Sequence, residues 1–166
     1  MAMYSASIPT FTTSAIADTT NITTQTFVAI QGGGASQRNK IYEVYVGGQA
    51  TSSAPQYLLL AADSTAFSGA TSNGVRLAVL DATATAPGTL ALAQNVGSTT
   101  LPQRAATLSK LNLTFNAFGG IVRWVAAPGS EIVTIGASAN TGEVSLSGYT
   151  GTTAGLVGAH ILFETV

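Results

Sequence analysis

The chain has 166 residues, enough for one domain with a sizeable core, yet only 8 % of them are charged, against about 25 % in an ordinary soluble domain. A net charge of −1 leaves no broad field to attract nucleic acid or an anionic membrane. The absence of cysteine excludes a disulfide framework, a thiolate metal site and a cysteine nucleophile.

Ala, Thr, Gly and Ser stand where charge is missing, and mean hydropathy is +0.36. Such a chain is poorly soluble as a free monomer, so its apolar surface is expected to be covered by other subunits. Residues 82–103 carry no charge, but Pro87, Gly88, Gln94, Asn95, Gly97 and Pro102 interrupt them, and no hydrocarbon span is expected. The start, MAMYSASIPTF, has neither a basic region nor a continuous apolar run, so no secretory signal is expected. The sequons at Asn21 and Asn112 are then read as chance matches in a Thr-rich chain.

Taken in order, residues 1–24 are expected to form an N-terminal arm or a first strand, and residues 25–166 a single β-sandwich domain. Thr and aromatic residues favour half-buried pleated surfaces, which places one or two strands around 3–16 and another at 25–31. Gly32-Gly33-Gly34 is a turn. It lacks the Gly-Lys-Ser/Thr that would close a phosphate cradle. Lys40 to Val46 reads as a central strand, with Tyr42, Val44 and Val46 on one face and Ile41, Glu43 and Tyr45 on the other. Gln56 to Ala62 is a second buried strand. Between 63 and 104 only Val75–Leu80 and 88–93 read as strands, joined by long connections.

Ala106 to Ala117 alternates, with Leu111, Leu113 and Phe115 on one face. The stretch that follows holds three short apolar runs, Ile121–Val125, Glu131–Ile135 and Glu143–Ser147, divided by Pro128-Gly129 and by small polar residues. Runs of this kind read as antiparallel strands joined by tight turns, and Trp124 has the bulk to fill the space between two sheets. In the last run Val157, Ala159, Ile161 and Phe163 share a face. The total is about eight to ten strands without a long helix-period segment. The expected fold class is all-β, an antiparallel sandwich of jelly-roll type.

No residue looks set for chemistry. His160 is the only histidine, and Glu164 lies about 13 Å along a strand from it at 3.3 Å per residue, too far for a dyad. A surface or interface histidine is the better reading. The acids Asp18, Glu43, Asp63, Asp81, Glu131, Glu143 and Glu164 stand singly, without DxD or EF-hand spacing. No catalytic, cofactor-binding or metal-binding residue is therefore assigned, and the chain is not expected to be an enzyme. Arg38 and Lys40 form a basic edge too small for a nucleic-acid groove. Arg123, on the opposite face from Trp124, is a reasonable interface anchor on a nearly uncharged surface. Tyr4, Ile41, Tyr45 and Arg123 are the expected subunit and shell contacts.

The succession FNAFGG, RW, APG, EI, GEVSLSG and GAHILFE resembles small virion proteins of tailed bacteriophages, namely the jelly-roll capsid decoration (cement) proteins and related minor structural proteins. The likeness is strongest from about Phe115 to Glu164. It implies a non-enzymatic homo-oligomer, a trimer, made in the bacterial host cytoplasm and placed on the capsid surface of the virion. There it would bridge major capsid proteins, with no nucleic-acid, membrane or cofactor partner. The other readings are a carbohydrate-binding or host-adhesion module, since jelly rolls also serve as lectins, and a tail or head–tail connector protein.

Overall fold

The computed structural model describes residues 2–13, 26–65, 76–83, 91–93, 103–136, 138, 142–148 and 155–166. Among them are eleven strands and no helix: β1 (Ala2–Thr13), β2 (Thr26–Gln31), β3 (Arg38–Gly48), β4 (Pro55–Thr65), β5 (Arg76–Val79), β6 (Ala91–Ala93), β7 (Gln103–Asn116), β8 (Ile121–Val125), β9 (Ile132–Ile135), β10 (Glu143–Gly148) and β11 (Gly155–Thr165). They form two antiparallel sheets. Sheet A has the order β5-β1-β11-β3-β8, with β9 also on β3, and sheet B the order β6-β2-β10-β4-β7.

Alternation along each strand sends every second side chain to the space between the sheets. Ile41, Val44, Val46, Val157, Ile161 and Phe163 of sheet A meet Val28, Ile30, Leu58, Leu60, Val144 and Leu146 of sheet B in one buried cluster. This is an antiparallel β-sandwich, the expected class. The predicted faces of β11 (Val157, Ala159, Ile161, Phe163) and β7 (Leu111, Leu113, Phe115) point inward, and Trp124 is half-buried against the same core. Residues 1–24 contribute a strand, β1, paired along its length with β11. The glycine run turns tightly, with Gln37 N–H donating to Gly34 O at 3.1 Å and Gly33 N–H donating to Gln37 Oε1. Asp18 and most of the connections expected between 63 and 104 lie outside the described residues.

Two expectations are corrected. In β3 the inward residues are Ile41, Val44 and Val46, while Tyr42 and Glu43 are half-buried. The cause is a bulge: Leu162 pairs with Glu43 but Phe163 pairs with Ile41, so Tyr42 has no partner on β11 and the alternation slips by one. The runs after Phe115, moreover, do not pair with one another. Both β8 and β9 pair with β3, end to end, and β10 lies in the other sheet. Pro128 has no N–H for a ladder. The break between the two runs is a turn in which Ser130 N–H reaches Ala127 O at 2.9 Å and Gly129 adopts φ 82°.

The loop after β7 closes over the end of β3. Gly48 N–H donates to Gly120 O at 3.2 Å and Ala50 N–H to Ala117 O at 3.0 Å. A Cβ on Gly48 would lie 2.1 Å from Ala117 Cα, whereas one on Gly47 would meet Ile121 Cγ1 at an ordinary 3.7 Å. Gly48→Ala is therefore expected to lose about 2 kcal/mol or more through a clash with backbone. Gly47→Ala, in an open strand position, should be neutral or gain about 0.5 kcal/mol. Urea denaturation of the two variants separates these outcomes.

Candidate functional site

The outer face of sheet A carries Tyr45 and Arg123, two of the four residues that sequence reasoning singles out. Tyr45 on β3 lies directly opposite Arg123 on β8 and, on its other side, opposite His160 on β11. The row continues through Ser7 on β1 to Arg76 on β5. Residues paired across an antiparallel ladder share a face, so Arg123, Tyr45 and His160 form one line across three strands.

Two side-chain pairs lie on this face. Arg123 grips Glu43 with two bonds, Nε to Oε1 at 2.7 Å and Nη2 to Oε2 at 2.9 Å, the bidentate fork of a strong ion pair. The guanidinium holds the Glu43 carboxyl below its usual range, with a smaller pull from His160. Next to Glu43, Tyr42 donates its hydroxyl to Glu164 Oε2 at 2.6 Å. That bond, reinforced by desolvation and by the carboxylate charge, pushes the phenol up to about 12. The bulge in β3 makes this contact possible by turning Tyr42 away from the core.

Around the pairs the face is apolar. Ile121 is 61 % exposed, Val125 54 %, Leu156 44 % and Tyr45 36 %. Ile121 is opposite Gly47, which is opposite Gly158, so these two strands are bare of side chains there. The Tyr45 ring and the Ile121 side chain lean over Gly47, within 3.9 Å and 3.7 Å of where its Cβ would be. Phe118 projects from the adjoining turn, 60 % exposed.

Of the four expected contact residues, Tyr45 and Arg123 are brought side by side. Ile41 is not on this face. It is fully buried in the core, because the slip at Tyr42 reverses its direction. Tyr4 lies in β1 opposite Phe163 and Val79, and its side chain is outside the described set. His160 is half-buried on the outer side of β11.

The acids do not all stand singly in space. Asp63 on β4 and Glu143 on β10, both fully buried, are joined by a hydrogen bond. Ser145 donates its hydroxyl to Asp63 Oδ1 at 2.6 Å, and Arg104 occupies the opposite register position on β7. Burial raises the Asp63 carboxyl to about 7 against the opposing pull of Ser145 and Glu143. The only sequence signal for this pair is an acid ending the apolar run LLLAAD. Among the described residues no three of His, Asp and Glu gather as metal ligands would. Compared with known proteins, the chain matches no family model, no curated protein and no solved structure.

Asp63 binds its proton more tightly in the folded chain than in the unfolded one. Its stabilising contribution is therefore complete below the ordinary carboxylate value of 3.8 and is lost as pH rises through about 7. The urea midpoint of the wild type should fall between pH 5 and pH 8. In Asp63→Asn, whose side chain stays neutral, that fall should shrink, and an unchanged pH slope would contradict this reading of the pair.

Proposed function

We propose that the chain is a non-enzymatic structural protein of a virion, a capsid decoration protein that associates with copies of itself, as a trimer, and bridges major capsid proteins. The observation that carries this reading is the outer face of sheet A. Ile121, Val125, Leu156 and Tyr45 are exposed there, and the Arg123 guanidinium among them is already matched by the Glu43 carboxylate. An obligate interface resembles a core cut in half. This face has that character, with side chains that gain by leaving water at about 25 cal/mol per Å² and an Arg123–Glu43 pair that can be covered without stranding either ion.

The strand order supports a jelly-roll reading. Consecutive strands β1, β2, β3 and β4 alternate between the sheets, and β1, β11, β3 and β8 adjoin in one sheet while β2, β10, β4 and β7 adjoin in the other. The proposed function is mechanical. A subunit that binds only the assembled lattice stabilises it over its parts by mass action, and closed cyclic symmetry is the ordinary arrangement for the copies themselves.

Sedimentation velocity at micromolar concentration tests the first step. The wild type is expected as a trimer, and Ile121→Asp and Tyr45→Asp, both at exposed positions, as folded monomers. A monomeric wild type would count against the proposal, as would variants that assemble unchanged. Arg123→Ala, which strands Glu43 without its cation, is expected to weaken assembly by about tenfold or more if the face is covered.

A further inference from the structure

The edge of sheet A offers a second, separate feature. Among the described residues β9 pairs with β3 alone. Arg38 exchanges both backbone bonds with Val166, at 2.8 Å and 2.9 Å. Bonding direction alternates along an antiparallel strand, so Asn39 and Ile41 turn their N–H and C=O groups the other way, toward Thr134 and Ile132. By the same alternation Val133 and Ile135 direct theirs away from β3, to the open side.

A cleft of about 220 Å³ lies on that side, lined by Ala62, Val144, Lys110 and the four residues of β9. Ala62 and Val144 form its floor from the inner side of sheet B. Lys110, on β7, is exposed at its rim. Beside it the β4–β7 ladder bulges: Ala61 pairs with Ser109 but Asp63 with Arg104, with no β4 pairing for residues 105–108 between them. Thr134 lines the cleft, is 4 % exposed, and its Oγ1 has no hydrogen-bond partner among the described residues. Asn39, opposite it in register and fully buried, likewise has an Nδ2 without a partner among the described residues, although its Oδ1 accepts a bond from Thr165 at 2.9 Å. Buried polar atoms are costly to leave unmatched, and a polar ligand in the cleft would match the Thr134 hydroxyl.

We propose that this cleft is a strand-receiving groove that takes an extended segment of a partner polypeptide, bearing small apolar side chains and a carboxylate. Val133 and Ile135 offer backbone donors and acceptors two residues apart, about 6.6 Å at 3.3 Å per residue. An extended peptide has that same repeat and adds to a sheet edge by main-chain bonds, with pockets reading alternate side chains. A small molecule has no such repeat. The apolar floor accepts a Val- or Ala-sized group, and the Lys110 ammonium pairs with an acidic side chain or a chain terminus. The groove opens at the sandwich edge, and it stands whether or not the outer face of sheet A associates.

The test is a selection of random eight-residue peptides against the full chain, with enriched sequences synthesised, fluorescein-labelled and titrated. Enriched peptides are expected to carry a carboxylate and to shift the amide signals of Val133 and Ile135 in nitrogen-15 correlation spectra. They should lose about tenfold or more in affinity when that carboxylate is amidated or when Lys110→Glu reverses the rim charge. Ala62→Leu, which fills the cleft from its floor, should abolish binding. If that variant proves unstable on heating, Lys110→Glu, at an exposed position, and the amide shifts decide the matter. No enrichment overturns the proposal, and so do peptides that bind Lys110→Glu undiminished or leave Val133 and Ile135 unshifted. Occupation by a second copy, seen as self-association that Ala62→Leu removes, overturns it as well.

Discussion

Side-chain alternation along β3, with its one slip at Tyr42, is the constraint on which both faces of sheet A depend. Above the slip Val44 and Val46 face the core and Tyr45 faces out. Below it Ile41 and Asn39 face in. Without the extra residue, Ile41 would point to solvent and Tyr42 would press its hydroxyl into the apolar cluster, far from Glu164. The bulge also coincides with the place where β8 hands over to β9, and Ala126 N–H bonds the Tyr42 carbonyl at 2.8 Å across the gap. One strand thus supplies core, outer face and the inner wall beside the cleft.

The scarcity of charge gives the few ions a particular economy. Arg123 and Glu43 neutralise each other on an exposed face, and Tyr42 caps Glu164. Asp63 and Glu143 sit buried under a shared hydrogen bond. An exposed ion pair adds little to the stability of a free monomer. Its consequence in the proposed assembly lies elsewhere, because a matched pair can be covered without leaving either of its ions stranded.

Local pattern made most strands legible. Ile121–Val125 stands within its own turn signals, and β11 announces its buried face through Val157, Ala159, Ile161 and Phe163. The bulge was not legible, because Lys40-Ile41-Tyr42-Glu43-Val44 alternates plausibly in either phase and only the partner strand chooses. Nor was the route of the chain after Phe115. Turn residues mark where a strand stops, not which sheet the next one joins, and here β8 and β9 line up along β3 while β10 crosses to sheet B. Tyr45 and Arg123 were legible as outward residues on strands. Their pairing with each other, and that of Asp63 with Glu143, joins positions about 80 residues apart, beyond the reach of any local pattern.

The central claim is that the outer face of sheet A is covered in the working assembly. Under the proposed function, electron microscopy of a capsid decorated with the chain tests it most directly, by tracing the chain in place. Tyr45, Ile121, Val125 and Arg123 should lie against a sister copy or a shell subunit, with the Arg123–Glu43 bonds intact. A subunit whose sheet A faces open solvent across that row would contradict the account.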